Sequence, residues 1–251
     1  MNNNKESNVS NDINYNICGF KSGLEELGIS LSDKQMKQFI VYYELLIEWN
    51  SFMNLTAITD FDQVIKKHFL DSLSLVKAYD LSKGIKVIDI GTGAGFPGIP
   101  LKIAFPHLEV TLLDSLNKRV KFLNEVKERL AITNLETLHG RAEDFAKPEK
   151  FREKYDLCVS RAVANLSTLS ELCLPYVKIG GRFISYKSEK IKEESIAAKK
   201  AIGILGGEVE KQVEFTFSDE ELYRNLFVIK KIKSTPKKYP RKAGLPGKEP
   251  L

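Results

Sequence analysis

Apolar side chains keep two different rhythms along the chain. Behind Ser32-Asp33-Lys34-Gln35, the residues Met36, Phe39, Ile40, Tyr43, Leu46 and Ile47 recur three and four apart, which predicts an amphipathic helix. Its S-x-x-Q start has the form of a capping box, and it should end near Asn50. A second helix opens at Asp60-Phe61-Asp62-Gln63, with Phe61, Ile65, Phe69, Leu73 and Val76 on one face. Past residue 80 the rhythm shortens. Lys86–Ile90, Glu109–Asp114, Leu135–Leu138, Asp156–Ser160 and Gly181–Tyr186 are short apolar runs. They are separated by helix-like stretches at Pro97–Phe105, 116–130, Leu166–Val177 and Lys190–Leu205. Strands alternating with helices predict a parallel sheet covered on both faces. Val209–Phe217 and Leu226–Ile232 have too short a connection for a crossover, so they should pair antiparallel at one edge. The expectation is an α/β protein with a Rossmann-like, mostly parallel seven-stranded sheet, an antiparallel last strand and an N-terminal helical extension.

Composition refines the boundaries. Residues 1–19 are Asn-rich and poor in large apolar side chains, the composition of a disordered leader, with order beginning near Phe20. A helical unit over 20–80 and a sheet domain over 81–233 follow. Residues 234–251 are Pro-rich and basic and are expected to form no regular element. No run of 18 apolar residues exists, which excludes a membrane-spanning helix. The start carries no apolar signal segment. Cys18, Cys158 and Cys173 are widely spaced, which fits neither a disulfide framework nor a zinc site. With three histidines, none at ligand spacing, no metal is expected. These features point to a cytoplasmic protein with reduced thiols. The absence of an apolar edge or heptad points to a monomer. The net charge of +5, from 38 Lys+Arg against 33 Asp+Glu, suggests a polyanionic partner.

The sharpest chemical signal is Val87-Ile88-Asp89-Ile90-Gly91-Thr92-Gly93-Ala94-Gly95-Phe96-Pro97-Gly98. A buried strand runs into glycines at alternate positions, then into a proline suited to a first helical turn. Such a crevice holds a nucleotide-like ligand in open α/β sheets. The dinucleotide fingerprint G-x-G-x-x-G would need a glycine where Phe96 stands. A D-x-G-x-G-x-G loop suits a cofactor without phosphate, S-adenosylmethionine. Asp114, ending the second strand, could take ribose hydroxyls of either cofactor. The closing hairpin and the lack of a second substrate domain favour S-adenosylmethionine.

Asn54-Leu55-Thr56, His68-Phe69-Leu70-Asp71-Ser72, the DIGTGAGFPGIP block from Asp89 to Pro100, Leu112-Leu113-Asp114-Ser115, Lys118-Arg119, Ser160-Arg161-Ala162 and Tyr186-Lys187 together resemble the GidB/RsmG family (glucose-inhibited division protein B) over about residues 20–235. The resemblance implies the class I S-adenosylmethionine-dependent methyltransferase fold. It implies methyl transfer to nitrogen-7 of a guanine in 16S ribosomal RNA, as free RNA, 30S subunit or assembly intermediate. It also implies a cofactor site at Gly91, Phe96, Ala142, Glu143 and Arg161, to which the sheet logic adds Gly93, Gly95 and Asp114. Phe96 would pack on the adenine or methionine part, and Ala142 and Glu143 would read the adenine edge.

Guanine nitrogen-7 carries a lone pair and no proton, so this chemistry needs alignment rather than a base. Marks of other chemistries are absent. Ser160-Arg161-Ala162-Val163-Ala164-Asn165 replaces the (Asn/Asp)-Pro-Pro-aromatic motif of exocyclic-amine enzymes. Cys158 and Cys173 sit in apolar runs, as small hydrophobes do. Arg161 and Lys187, at the ends of the fourth and fifth strands, are the catalytic candidates. Arg161 would contact the cofactor carboxylate or guanine O6; Lys187 would contact phosphate. Asn165 is a weaker candidate at the base. His68 and Asp71 share a helical face, either anchoring the helix to the core or lining the substrate pocket. Trp49 and Phe52 should join the helical unit to the sheet. For RNA the candidates are Lys118, Arg119, Arg141 and the tail residues Lys238, Arg241 and Lys242, the tail acting as an arm that orders on phosphate. Two other readings stay open. One is a methyltransferase of this fold acting on another RNA, a protein or a small molecule; the other is a non-enzymatic NAD-sensing module.

Overall fold

The computed structural model describes residues 15–161, 164–187, 191–217 and 223–251. The expected leader over 1–14, Ala162 and Val163 of the Ser160–Asn165 stretch and Lys190 of the polar helix lie outside the described residues. Helix α1 (Cys18–Glu26) precedes α2 (Asp33–Met53). The capping box forms as expected: Ser32 Oγ accepts from the Gln35 backbone N–H, and the Gln35 side chain accepts from the Ser32 N–H. Helix α2 runs three residues past Asn50 and ends on Asn54 in the left-handed conformation, φ 51°. Order begins earlier than Phe20. The Tyr15 ring stacks on Phe61 at 4.4 Å and meets Tyr43 edge-on, so residues 15–19 do not belong to a disordered leader.

The second predicted helix is composite. It starts as α3 (Phe61–Val64), capped by the Asp60 carboxylate. It widens into a π-helical turn at Ile65–Leu70. It then tightens through α4 (Asp71–Leu73) into a 3₁₀ turn at Ser74–Lys77. The sheet strands are β1 (Lys86–Ile90), β2 (Glu109–Asp114), β3 (Leu135–His139), β4 (Tyr155–Ser160), β5 (Val177–Lys187), β6 (Gly207–Thr216) and β7 (Tyr223–Lys231). Between them lie α5 (Gly98–Ala104), α6 (Asn117–Arg129), α7 (Ala142–Phe145), α8 (Leu166–Cys173) and α9 (Ile191–Ile204).

The strand order is β3-β2-β1-β4-β5-β7-β6. Strands β1 to β5 are parallel, and β7 is antiparallel to both its neighbours. The predicted mixed sheet is therefore present, with β7 inserted between β5 and the edge strand β6. Alternating side chains go to opposite faces. Val87, Leu157, Val159, Ile184 and Val228 enter one core with Phe20, Phe39, Tyr42 and Phe69 of the N-terminal helices. Ile88, Cys158, Phe183, Phe227 and Ile229 enter a second core with α8 and α9. Cys158 and Cys173 are fully buried there, and burial pushes the Cys158 thiol up, the state of an inert structural cysteine.

The C-terminal segment corrects the expectation of an unstructured arm. It packs on the second core, with Tyr239 and Pro246 buried, and holds the short helix α10 (Leu245–Lys248). The Arg152 guanidinium donates to the carbonyls of Ala146, Thr235, Pro236 and Tyr239. Arg241 forms a two-pronged pair with Glu171, whose side chain is 1 % exposed. The segment lacks hydrophobic periodicity because guanidinium contacts to its backbone and the Arg241–Glu171 pair hold it in place.

Candidate active site

The crevice lies at the C-terminal ends of β1 and β2, beside the point where the strand order turns from β1 to β4, where open α/β sheets bind ligands. Gly91, Gly93 and Gly95 have φ of 70°, 63° and 100°, the left-handed region that only glycine enters cheaply. The loop is pinned from below by Asp89, which is fully buried. Its Oδ2 accepts from Thr92 Oγ1 at 2.7 Å and from the Gly98 N–H at 2.9 Å. A side chain on Gly98 would collide with Leu112 and with this carboxylate. Asp114 braces the loop from β2: its Oδ2 accepts from the Gly93 N–H at 2.9 Å and its Oδ1 from the Leu116 N–H at 2.9 Å. The chain also places Arg119 3.3 Å from Asp114.

The loop fits a phosphate-free, positively charged cofactor on two observations. A Cβ built on Gly93 meets nothing within 4 Å, so the space over the loop is open. Asp89 Oδ1 is buried beneath the loop without a hydrogen-bond partner among the described residues. Burial raises the Asp89 carboxyl to about 7. A carboxyl raised on folding holds its proton more tightly in the native state, so its contribution is full below the unfolded value near 4 and is lost as pH rises through about 7. The stability of Asp89→Asn relative to wild type should therefore grow by a few kcal/mol between pH 4 and 8. Urea midpoints across that range measure it, and a pH-independent difference would contradict the assignment.

Next to the crevice lies a cavity of about 310 Å³ lined by Ile58, Lys67, His68, Asp71, Arg161, Tyr186, Lys187 and Arg224. Its centre is Asp71, 2 % exposed, which accepts from Arg161 Nη1 at 2.8 Å and from Arg224 Nε at 2.5 Å. Arg161 Nη1 also donates to the Lys67 carbonyl at 2.9 Å, within the π-helical turn. Arg161 Nη2 lies 3.2 Å from His68 Nδ1, and His68 Nε2 lies 2.9 Å from Thr56 Oγ1. Burial and the Arg161 charge lower His68 to about 4. The ring is neutral at pH 7, and its Nδ1 lies between Arg161 Nη2 and the Lys67 carbonyl, 3.1 Å away. His68 and Asp71 thus anchor the helix to the core, as one of the two expectations had it, and both also line this cavity.

The cavity and the crevice share a wall. The Phe96 ring, 5 % exposed, stacks on His68 at 4.5 Å and lies 5.0 Å beneath the Arg161 guanidinium. It also packs on Tyr42 and Phe69. Phe96 is thus the joint between the glycine loop and the N-terminal helices, where contact with cofactor was expected. Tyr42 Oη donates to the Ala94 carbonyl at 2.6 Å, and Tyr186 Oη to the Ser72 carbonyl at 2.7 Å, fastening the same joint.

The other candidates divide. Ala142 opens α7 at the end of β3, and its carbonyl accepts from Tyr176 Oη. Glu143 Oε1 accepts from the Gly244 N–H at 2.8 Å, so this carboxylate holds the C-terminal segment. Lys187, 7 % exposed, is not an open phosphate ligand: its Nζ binds Glu194 at 2.7 Å and the Ala164 carbonyl at 2.8 Å. Asn165 is the N-cap of α8, its Oδ1 accepting from the Thr168 N–H. Arg241 is spent on Glu171. Lys118, Arg141, Lys238 and Lys242 are exposed, and Lys118 Nζ reaches the Met53 carbonyl. Trp49 packs on Phe122 as expected, but Phe52 is 66 % exposed and joins nothing to the sheet. Arg224 was missed by sequence reasoning. Its signal was position: β7 runs antiparallel, so its head lies at the crevice end of the sheet.

A mixed sheet with this strand order, a three-glycine loop and an adjoining cationic cavity defines a methyltransferase-type α/β fold. Solved structures share it, among them a SAM-dependent methyltransferase from Aquifex aeolicus (TM-score 0.51, 20 % identity, 70 % of this chain and 96 % of that one). Another is TYW2 from M. jannaschii, in complex with AdoMet (TM-score 0.50, 15 % identity, 62 % and 73 %). The chain belongs to the rRNA small subunit methyltransferase G family (GidB), whose model matches residues 35–223. It is 58 % identical over 232 residues to the ribosomal RNA small subunit methyltransferase G of Lachnoclostridium phytofermentans, covering 92 % of this chain and 96 % of that protein. It is 51 % identical to that of Clostridium novyi, covering 96 % and 99 %.

Proposed function

We propose that this protein transfers a methyl group from S-adenosylmethionine to nitrogen-7 of a guanine in 16S ribosomal RNA. The observation that carries the reading is membership of the family across residues 35–223, which include the glycine loop, Asp114 and Arg161. The reading places the cofactor over Gly91, Gly93 and Gly95, with Asp114 at its ribose and Ala142 near its adenine. Bound there, it supplies an electrophilic methyl on a sulfonium.

The target base would enter the Asp71 cavity, and the wall of Phe96, His68 and Arg161 would set the angle between base and methyl. Nitrogen-7 has no proton to lose, so neutral His68 need not act as a base. The residues' work is alignment and exclusion of water, which can supply most of the barrier reduction. Exposed Lys118, Arg141, Lys238 and Lys242 would meet phosphates of the RNA, as free RNA or within the 30S particle. The protein would act in the cytoplasm as a monomer.

The test is tritium transfer from S-adenosylmethionine to 16S RNA and 30S particles from a strain lacking the protein, with mapping of N7-methylguanosine. A single modified guanine is expected. Arg161→Ala should lose on the order of 10²-fold in turnover, as expected for misplaced reacting groups, while cofactor affinity changes little. Label recovered in protein or small molecules, with none in RNA, would overturn the reading.

A further inference from the structure

Two arginines reach Asp71, and their hydrogen-bonding states differ. Arg161 is held internally: both Nη1 hydrogens go to Asp71 and the Lys67 carbonyl, and Nη2 lies 3.2 Å from His68 Nδ1. Arg224 is held at one edge only. Its Nε donates to Asp71 Oδ1 and its Nη1 to the Tyr223 carbonyl at 3.1 Å. Its Nη2 has no hydrogen-bond partner among the described residues, although the side chain is 20 % exposed and lines the cavity. A fixed guanidinium with an unused donor edge, facing a base-sized space, is built to receive an acceptor.

We propose that Arg224 reads the six-oxo group of the target guanine and thereby selects guanine over adenine. The proposal rests on the reading of the cavity as the receptor for the target base. Guanine carries its O6 acceptor next to nitrogen-7 on the same edge, whereas adenine places an amino donor there. An adenine would set donor against donor and leave the free edge of Arg224 unpaired against the base, a strong form of rejection. Nitrogen-7 itself stays bare for the methyl. The base gains the positive charge that the sulfonium gives up, so the net charge beside Arg224 is unchanged by the reaction, and Asp71 offsets the guanidinium throughout.

The experiment compares the wild-type protein with Arg224→Gln and Arg224→Lys on two RNAs. One is small-subunit RNA carrying guanine at the mapped methylated position. The other carries 2-aminopurine there, which keeps nitrogen-7 and the two-amino group but lacks the oxygen. With guanine, Arg224→Gln should lower kcat/KM about 10- to 100-fold, the range of a good base contact. With 2-aminopurine it should lower it little further, giving a coupling factor of about ten or more between residue and oxygen. Arg224→Lys keeps the charge against Asp71 and carries the same comparison should Arg224→Gln not fold; S-adenosylmethionine calorimetry and thermal midpoints report folding. Equal proportional losses on both RNAs would show that Arg224 acts only by supporting Asp71, and would overturn the proposal. A wild-type protein that leaves the guanine RNA unmethylated would overturn the functional reading instead.

Discussion

Asp71→Ala should lower stability by about 3–5 kcal/mol and methyl transfer by more than 10²-fold. The carboxylate is 2 % exposed and is the shared partner of Arg161 and Arg224. Its loss leaves two half-buried cations facing each other across a cavity with no anion between them, the costly case of a broken buried pair. It also frees Arg161, which is then held only by the Lys67 carbonyl and His68 and no longer defines the wall over Phe96. For a chain of this size the stability loss corresponds to a fall of roughly 6–20 °C in Tm. Asp71→Asn, with one acceptor oxygen left, should fall between wild type and alanine. Calorimetric unfolding and tritium transfer, measured at a temperature where both variants remain folded, separate the two effects. A stability change within 1 kcal/mol would show that the ion pairs contribute no more than surface pairs do.

Removal of residues 235–251 should cost as much, and through folding before binding. Truncation strips Glu171, 0 % exposed in the full chain, of Arg241, strips fully buried Lys231 of the Thr235 hydroxyl, and takes three of the four carbonyls from Arg152. Lys231 already lies below its usual range, at about 8, because burial opposes its charge. The Glu171 deficit alone falls in the 3–5 kcal/mol range, and Arg241→Ala should reproduce most of it. The truncated protein should unfold at markedly lower urea with its salt sensitivity in RNA binding obscured. Lys238→Ala with Lys242→Ala should keep the fold and flatten the salt dependence, by somewhat under one unit of log–log slope for each phosphate that is no longer neutralised. A truncated chain as stable as the full one would mean that the segment is the detached arm its composition suggests.

Features carried by neighbours in sequence were legible. The Ser32–Gln35 capping box, the short apolar runs of β1 and β4, and the glycine loop after Asp89 each declare themselves within a dozen residues. The antiparallel pairing of β6 and β7 followed from a connection too short to cross over, whereas the insertion of β7 between β5 and β6 did not. What stayed hidden depends on distant partners. Asp71 meets Arg161 across 90 positions and Arg224 across 153. Glu143 is taken by a backbone N–H 101 positions away. Lys187 and Asn165 stand where catalytic groups belong in this fold, and only the proximity of Glu194 and the start of α8 gives them structural duties. The π-helical turn at Ile65–Leu70 has no propensity signal; it places the Lys67 carbonyl on Arg161, and tertiary contact overrides local preference there.

The position of β7 carries a consequence for how the molecule is made. Among the described residues strand β6 pairs only with β7, so after residues 207–216 leave the ribosome they wait as a lone strand until residues 223–231 follow. The same late strand brings Arg224 to an aspartate translated 153 residues earlier, and closing so long a loop is entropically slow. The nascent chain can therefore shape its glycine crevice well before it owns a complete cavity. The cavity is whole only once residues 223–231 have been made.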